Sequence, residues 1–334
     1  MRNRLLSRRN GGWLAMLIAM LIASARADSA PPLTLETMIP LPHTSGRIDH
    51  LAVDLARKRL FVAELGNGTV DVVDLDKKQV VHRITGLREP QGVLYVPLAD
   101  RLAVASAGDG TLRLFSGDNF APLGSTALGD DADNVRLAPD GRDVLVGYGD
   151  GGLAVIDPVR GSLSEKLPLA AHPEGFQVTS DGHVYVNVPD AHDVEVADLK
   201  AGKVIATWTL QGVSGNFPMA LGEAGIVAVV FRQPPRFVRI DSATGKERSR
   251  SAVCGDADDV FFDVRRQRYY VSCGAGVVSV FQVNLTGVEA LPSVTTSGGA
   301  RTSLFVPELD RLFVAARASL LGSNASIWVM RPEP

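Results

Sequence analysis

The sequence predicts an all-β protein, a seven-bladed β-propeller of four-stranded antiparallel blades closed by an N-terminal strand that completes the last blade. The first observation is a short phrase, two polar residues around an apolar or small one, that recurs seven times at a spacing of roughly 40 residues, the period of a propeller blade. The second is that short alternating strands separated by turn residues follow each phrase. The phrases lie at Arg47–His50, Glu89–Gly92, Asp131–Asn134, His172–Gly175, Asn216–Met219, Asp256–Asp259 and Gly299–Thr302.

Residues 1–27 have the features of a secretory signal peptide. Four arginines lie within Arg2–Arg9, the apolar run Trp13–Ile22 follows, and Ala25–Ala27 is an A-x-A cleavage signal. The run is shorter than the roughly 20 residues of a membrane span, so no span is expected after cleavage. We therefore expect a periplasmic or secreted protein, with a retained anchor as the alternative. The pair within Ser7–Arg9 leaves open whether export uses the general or the twin-arginine route.

Net charge and cysteine content further restrict the class of protein. Cleavage after Ala27 removes five arginines and no acids, so 34 basic side chains fall to 29 against 37 acidic ones, a net charge of about −8. A negative protein lacks the electrostatic footprint of a nucleic-acid-binding protein. The even count of two cysteines permits one disulfide in an oxidising compartment.

The first blade shows the pattern most clearly. Residues 28–45 form a linker that contains a strand at Leu33–Leu41, and residues 46–334 form the propeller. Asn67–Gly68 is a hairpin signal between the second and third strands of blade one. The four strands of blade one are expected at His50–Asp54, Arg59–Glu64, Thr69–Asp74 and Gln79–Ile84.

The later blades repeat this order. Second strands are expected at Arg101–Ser106, Asp143–Gly147, His183–Val188, Gly225–Phe231, Arg268–Cys273 and Arg311–Ala316. Third strands are expected at Thr111–Phe115, Gly152–Asp157, Asp193–Asp198, Arg236–Asp241, Gly276–Phe281 and Ser326–Met330. The last blade has three strands of its own, so the strand at Leu33–Leu41 is expected to supply the fourth and to close the ring.

Two of these strand pairs carry a family resemblance. Arg59–Glu64 (R-L-F-V-A-E) precedes Gly68–Asp74 (G-T-V-D-V-V-D), and Arg101–Ser106 precedes Gly110–Phe115 in the same way. The pattern resembles the YVTN-repeat propellers, a secreted or periplasmic group that includes the YncE-like proteins. The resemblance covers nearly all of the mature chain and implies an exported seven-bladed propeller. It does not imply one activity, because such a fold carries many functions.

The chain departs from that family pattern in two blades. Gln233–Pro235 replaces the usual glycine-containing hairpin of blade five, and Arg317–Ala325 is a long loop in blade seven. Both loops are candidate specificity elements.

One end of the propeller is expected to be an acidic funnel, because the loops that enter the first strands and those between the second and third strands open on one face. Fourteen acids are expected there: Asp49, Glu64, Glu89, Asp109, Asp130, Asp131, Asp133, Asp150, Glu174, Asp190, Asp193, Asp256, Asp258 and Asp259. Six bases accompany them: Arg47, Arg88, Arg232, Arg236, Arg301 and Arg317.

Equivalent positions of the repeat should form rings around the central channel. One ring is Asp49, Gln91, Asp133, Glu174, Pro218, Asp258 and Arg301, and the ring two residues earlier is Arg47, Glu89, Asp131, His172, Asn216, Asp256 and Gly299. Converging carboxylates repel one another unless a cation, a proton or an arginine compensates them. The channel or ligand-binding candidates are therefore Arg47, Asp49, His50, Gln91, Asp131, Asp133, Asn134, His172, Glu174, Asp258, Asp259 and Arg301.

These candidates admit two interpretations. Asp133, Glu174 and Asp258 could hold one divalent cation, calcium, zinc or manganese. Alternatively each acid accepts hydrogen bonds from the backbone of the neighbouring blade, Arg301 neutralises the ring, and His50 and His172 are hydrogen-bonded residues at strand starts.

Two further motifs are structural. Gly147–Gly152 matches G-x-G-x-x-G but opens no helix, so it is expected to be a hairpin and not a dinucleotide site. Cys254 and Cys273 fall at the same end of blade six and form a disulfide candidate. Such a bridge would close a loop of about 20 residues and contribute on the order of 3 kcal/mol; two free thiols are the alternative.

Three classes of function follow from these residues. The first is a binding or scaffold propeller that holds a small molecule or a protein at the funnel face, since the sequence contains no complete catalytic constellation. The second is a metal-dependent lactonase or esterase in which Glu174 or Asp258 moves the proton. The third is a redox subunit of the quinoprotein-dehydrogenase type, which low aromatic content and the absence of a haem-attachment motif disfavour.

Overall fold

Alternating strands with apolar inner faces assemble into seven four-stranded antiparallel sheets arranged as a propeller. The computed structural model describes residues 30–285, 287–319 and 324–334, and Pro31–Pro334 forms one compact unit. The expected signal peptide at residues 1–27 lies outside the described residues, as do four residues of the blade-seven loop. Within the described part, no helix is long and apolar enough to cross a membrane.

Each blade places one strand at the central channel and a second strand next to it. The channel strands of blades one to seven are β2 (Leu51–Asp54), β6 (Pro90–Val96), β10 (Val135–Leu137), β14 (Phe176–Val178), β18 (Ser214–Leu221), β22 (Ala257–Asp263) and β26 (Ser303–Val306). The second strands are β3 (Arg59–Glu64), β7 (Arg101–Ser106), β11 (Val144–Tyr148), β15 (His183–Val188), β19 (Ile226–Gln233), β23 (Arg268–Cys273) and β27 (Arg311–Ala316).

The outer half of each blade consists of the third and fourth strands. The third strands are β4 (Thr69–Asp74), β8 (Thr111–Ser116), β12 (Gly152–Asp157), β16 (Asp193–Asp198), β20 (Pro235–Asp241), β24 (Val277–Asn284) and β28 (Ser326–Pro332). The outermost strands are β5 (Gln79–Ile84), β9 (Pro122–Ala127), β13 (Ser162–Pro168), β17 (Lys203–Thr209), β21 (Glu247–Ala252), β25 (Gly287–Thr295) and β1 (Leu33–Pro40).

The ring closes as the sequence predicts. Strand β1 pairs antiparallel with β28 from Leu33 opposite Pro332 to Pro40 opposite Ser326, which completes the blade that β26 and β27 begin. Ile39 and Leu41 are buried in the cluster between this blade and blade one. A closed ring leaves no terminal sheet edge unpaired, so the N-terminal strand holds the first and last blades together.

The hydrophobic core is divided into seven layers in the described residues, one between each pair of neighbouring blades. Between blades one and two, for example, Phe61 and Val72 pack against Val93 and Leu102. Because burial of apolar area is the main stabilising term, blade-to-blade packing holds the ring together more than contacts at the channel do.

The loop between the second and third strands of blade one forms the hairpin that Asn67–Gly68 predicts. Leu65–Asn67 forms one turn of 3-10 helix, and Gly68 follows in the left-handed conformation (φ 68°). The amide of Gly66 donates to the carbonyl of Arg47, 2.9 Å away, so the loop is joined to the entry phrase of the same blade. The same 3-10 turn recurs at Ala107–Asp109 and Pro189–Ala191.

Two other expectations about loops and cysteines are met. Gly147–Gly152 lies in the hairpin between β11 and β12 and begins no helix. Cys254 and Cys273 are joined by a disulfide with Cα atoms 5.9 Å apart, so the chain has no free cysteine.

Candidate functional site

The repeated entry phrases converge at the start of the channel strands. The amide of Asp49 donates to the carbonyl of Ala63, as the amide of Asp133 does to Gly147, so these two acids occupy matching places in their blades. Five carboxylates line one small cavity of about 30 Å³ there, and we call them the acid cluster: Asp49, Asp133, Glu174, Asp258 and Asp259. Of the expected first ring, Gln91 and Arg301 do not line this cavity.

Two arginines neutralise one member of the acid cluster. Arg301 Nε lies 2.8 Å from Asp258 Oδ2, and Arg232, from the second strand of blade five, contacts the other oxygen of the same carboxylate. Arg301 also donates to Asp256 at 2.9 Å. The guanidinium of Arg232 lies over the ring of Phe217, 3.6 Å from its centroid, which holds it in place.

His50 lies in the centre of the acid cluster without charge. Its Nε2 is 3.8 Å from Asp49 Oδ1 and 4.0 Å from Asp133 Oδ1, and its Nδ1 is 3.9 Å from Asp259 Oδ1. Burial, and next the positive charge of Arg136, lower the pKa of His50 to about 4. Imidazole is therefore neutral above this pH and does not compensate the surrounding carboxyl groups.

Burial also keeps protons on the carboxyl groups. It raises the pKa of Glu174 to about 8, with the charge of Asp258 as the next cause. Burial and the nearby Glu174 and Asp49 raise the pKa of Asp133 well above its ordinary value. The pKa of Asp259 is also raised by burial, although its Oδ2 accepts a 2.7 Å hydrogen bond from the amide of Ser303 in blade seven. Asp259 thus has the inter-blade hydrogen bond that one interpretation of the sequence predicts.

Four buried acceptors in the cavity make no hydrogen bond in the described part of the chain, and two of them, Oδ2 of Asp49 and Oδ2 of Asp258, lie 2.8 Å from an arginine nitrogen. The other two are Oδ1 of Asp133 and Oδ1 of Asn134, whose residues are 6% and 3% exposed. A buried acceptor without a partner is destabilising by roughly 1–3 kcal/mol. The cavity therefore favours an occupant that donates hydrogen bonds.

The other candidates form a rim around the cavity. Arg47 pairs with Asp49 at 2.8 Å. Asp131 Oδ1 accepts a long hydrogen bond of 3.4 Å from Gln91, and its Oδ2 lies 3.7 Å from His172 Nε2. The Nδ1 atom of His172 is 2.6 Å from the carbonyl oxygen of Gly149, so this histidine is held by the β11–β12 loop of the preceding blade.

The expected metal-ligand set is partly engaged by arginine. Among the residues that the structure describes, no group of three His, Cys, Asp or Glu side chains is arranged to hold a metal ion. Of the expected set of Asp133, Glu174 and Asp258, the last is paired with two guanidinium groups. These guanidinium groups supply part of the compensation that converging carboxylates require.

Two charged residues of the channel have roles that the sequence did not predict. Arg136 lines the cavity but is the second residue of β10, two positions beyond the entry phrase Asp131–Asn134. Arg232 was expected on the funnel face, but not in contact with Asp258, which belongs to the next blade. The strand register could have revealed Arg136, because the residues that occupy its place in other blades are apolar or uncharged.

Comparisons with known proteins support the fold and leave the activity open. No family model matches the chain, and no curated protein matches it. Hydrazine synthase of Kuenenia stuttgartiensis has a chain that is similar with a TM-score of 0.74 at 14% identity, covering 93% of this chain and 99% of that one. A chain of a mitotic checkpoint complex has a TM-score of 0.77 at 14% identity, with 99% of each chain covered. At 14% identity these likenesses show the seven-bladed propeller and nothing finer.

Proposed function

We propose that this chain is an exported binding propeller of the YVTN-repeat type whose ligand inserts a positively charged amine into the acid cluster. The observation that carries the proposal is the buried Oδ1 of Asp133, an acceptor without a donor inside a cavity of about 30 Å³. That volume suits a group the size of a water molecule or an ammonium. An ammonium group supplies hydrogen-bond donors to this acceptor and a positive charge to the surrounding carboxyl groups.

Charge balance at the channel mouth favours a cation. The five members of the acid cluster, with Asp131 and Asp256 at the rim, face four guanidinium groups, those of Arg47, Arg136, Arg232 and Arg301. In the absence of ligand the difference is made up by protons, because burial raises the pKa of Glu174 and Asp133. A bound ammonium replaces those protons, so that the buried carboxylates of the acid cluster are paired with a positive charge.

Export rests on three separate features. The first 27 residues have the arginines, apolar run and A-x-A signal of a cleaved secretory segment. Disulfides persist in oxidising compartments, and Cys254 and Cys273 form one. The resemblance of the strand pairs to YVTN repeats points the same way. We therefore place the protein in the periplasm or outside the cell.

A binding role fits the cluster better than metal-dependent hydrolysis does. Lactone or ester hydrolysis through a divalent ion needs several free carboxylates at one point. Asp258 is shared between Arg232 and Arg301, and Asp49 pairs with Arg47, so they are not free to coordinate an ion.

The test is calorimetric titration of the purified protein with n-butylammonium and, as a neutral control of the same shape, n-butanol. We expect binding of the amine alone, and at least about tenfold weaker binding in Asp133→Asn, because one charge-assisted hydrogen bond is lost. Asp118→Asn, an exposed acid in the turn between β8 and β9, is the matched control. Equal binding of amine and alcohol, or an unchanged Asp133→Asn, would contradict the proposal.

Elemental analysis distinguishes amine binding from metal-dependent hydrolysis. One equivalent of calcium, zinc or manganese in protein purified without chelator, and its loss in Asp133→Asn, would favour the hydrolase in place of the amine-binding protein.

A further inference from the structure

The channel contains a second cavity further along the same strands. It has a volume of about 330 Å³ and is bounded toward the acid cluster by His50, Asp259 and Arg136, which line both cavities. We call it the inner chamber. Its size falls within the range of small-molecule sites.

The walls of the inner chamber are mostly apolar because of the strand register. The residue opposite the third position of the second strand faces this level of the channel in blades one, two, four, six and seven. In blade three the corresponding residue is opposite Leu145, the second position of β11. These positions hold Ala52, Leu94, Arg136, Gln177, Phe261 and Leu304, and all six line the chamber. Arg136 is the one charged residue among them.

Arg136 has no ion-pair partner in the described residues. Its Nη1 donates to the carbonyl of Val135 at 2.9 Å, and no carboxylate oxygen lies within 4.0 Å of its guanidinium. One face of the guanidinium packs over the ring of Phe176, 5.6 Å from the centroid, which orients it. Arginines enclosed by protein are ordinarily paired, so an unpaired one that lines a cavity is informative.

The nearest acids make no direct pair with this charge in the described residues. Asp133 and Asp259 act on Arg136 through longer-range attraction. The guanidinium therefore borders an apolar space without a carboxylate in contact with it. A ligand anion supplies the missing partner through paired N–H donors.

We propose that the inner chamber binds a small monocarboxylate with an apolar body, whose carboxylate pairs with Arg136. The single guanidinium suits one negative charge, and the leucine and phenylalanine walls suit an alkyl or aromatic group. This site adjoins the amine site at the acid cluster and shares Arg136 with its wall, but neither proposal needs the other.

The experiment compares phenylacetate with phenylacetamide, which has the same shape and no charge. We expect phenylacetate to bind the wild-type protein, phenylacetamide to bind at least about tenfold more weakly, and Arg136→Gln to weaken phenylacetate binding by roughly 10- to 100-fold. Arg136→Lys keeps the positive charge but lacks the planar guanidinium group, so it should retain part of the binding that Arg136→Gln loses. Arg142→Gln, an exposed arginine of the same blade that does not line the chamber, is the matched control.

A crystal of the wild-type protein soaked in 4-iodophenylacetate tests the location without any variant. An iodine peak in the inner chamber with the carboxylate at Arg136 supports the proposal even if Arg136→Gln does not fold. Equal binding of acid and amide, a folded Arg136→Gln with unchanged affinity, or an iodine peak only elsewhere would overturn it.

Discussion

The imidazole Nε2 of His50 lies 4.0 Å from Oδ1 of Asp133, between the channel strands of blades one and three. The contact is not an ion pair at neutral pH, because the pKa of His50 is lowered to about 4 and that of Asp133 is raised well above its ordinary value. A neutral imidazole therefore faces a carboxyl group that burial makes harder to ionise. Glu174, with a pKa of about 8, holds a proton at neutral pH that a bound cation can displace.

Amine binding at the acid cluster should strengthen as the pH rises. Below its pKa of about 8, Glu174 must release a proton before a cation can take its place, so affinity falls by up to about tenfold for each pH unit below 8. The amine itself keeps its charge in this range, since amine pKa values lie near 10. Titrations of n-butylammonium between pH 6 and 9 measure the slope, and Glu174→Gln should reduce it. A slope that is the same in wild type and Glu174→Gln would count against a role for this proton.

Glu174→Gln should stabilise the protein at alkaline pH and not at acidic pH. The folded-state pKa of about 8 lies above the ordinary value of 4.5, so the folded protein binds the proton more tightly and loses stability as the pH rises from about 4.5 to 8. Because an amide does not ionise, the variant does not lose this part of its free energy of unfolding, which is on the order of a few kcal/mol. Urea unfolding at pH 5 and pH 9 gives the difference. The same ΔΔG at both pH values would show that Glu174 ionises normally in the folded protein.

The blade architecture could be predicted from sequence with strand ends within three residues, and the charge network of the channel could not. Strands such as Arg59–Glu64 and Arg268–Cys273 match their predicted bounds because turn residues delimit them on both sides. The contact of Arg232 with Asp258 joins two blades, and no local pattern encodes it. Irregular pairing between Asn216 and Met219 also shifts residues around the channel, so equal spacing in sequence does not give equal height.

Removal of the carboxylate of Asp258 should destabilise the protein more than removal of Arg301. Asp258→Asn leaves Arg232 and Arg301 to share Asp256, 3.8 and 2.9 Å away, whereas Arg301→Gln leaves Asp258 paired with Arg232. Loss of one partner of a largely buried pair costs roughly 3–5 kcal/mol at most, and the double variant should show a coupling energy of about 1–3 kcal/mol. Urea unfolding of the two single variants and the double variant measures it. Strict additivity would mean that the two side chains do not interact in solution.

Removal of the disulfide should lower stability without changing the ligand sites. Cys254 and Cys273 are 19 residues apart, and a loop of this size constrains the unfolded chain by about 3 kcal/mol. Cys254→Ala/Cys273→Ala should therefore unfold at lower urea than the oxidised wild type. Reductant should bring the wild type close to the double variant and leave the variant itself unchanged. A reductant effect of equal size in both proteins would show that the bridge is not the cause.

Replacement of Gly92 should push two blades apart at the channel. A Cβ at this position would lie 2.0 Å from the carbonyl oxygen of Asp133 and 2.6 Å from Val135, so blade two could not keep its approach to blade three. Gly92→Ala should cost roughly 1–3 kcal/mol, as overpacking does, and should also weaken amine binding because Asp133 moves. Gly298→Ala is the matched control, since nothing lies within 4 Å of a Cβ there. If both variants unfold at the same urea concentration, the close approach of the two blades does not hold in solution; if Gly92→Ala loses stability but binds the amine normally, Asp133 is not part of the amine site.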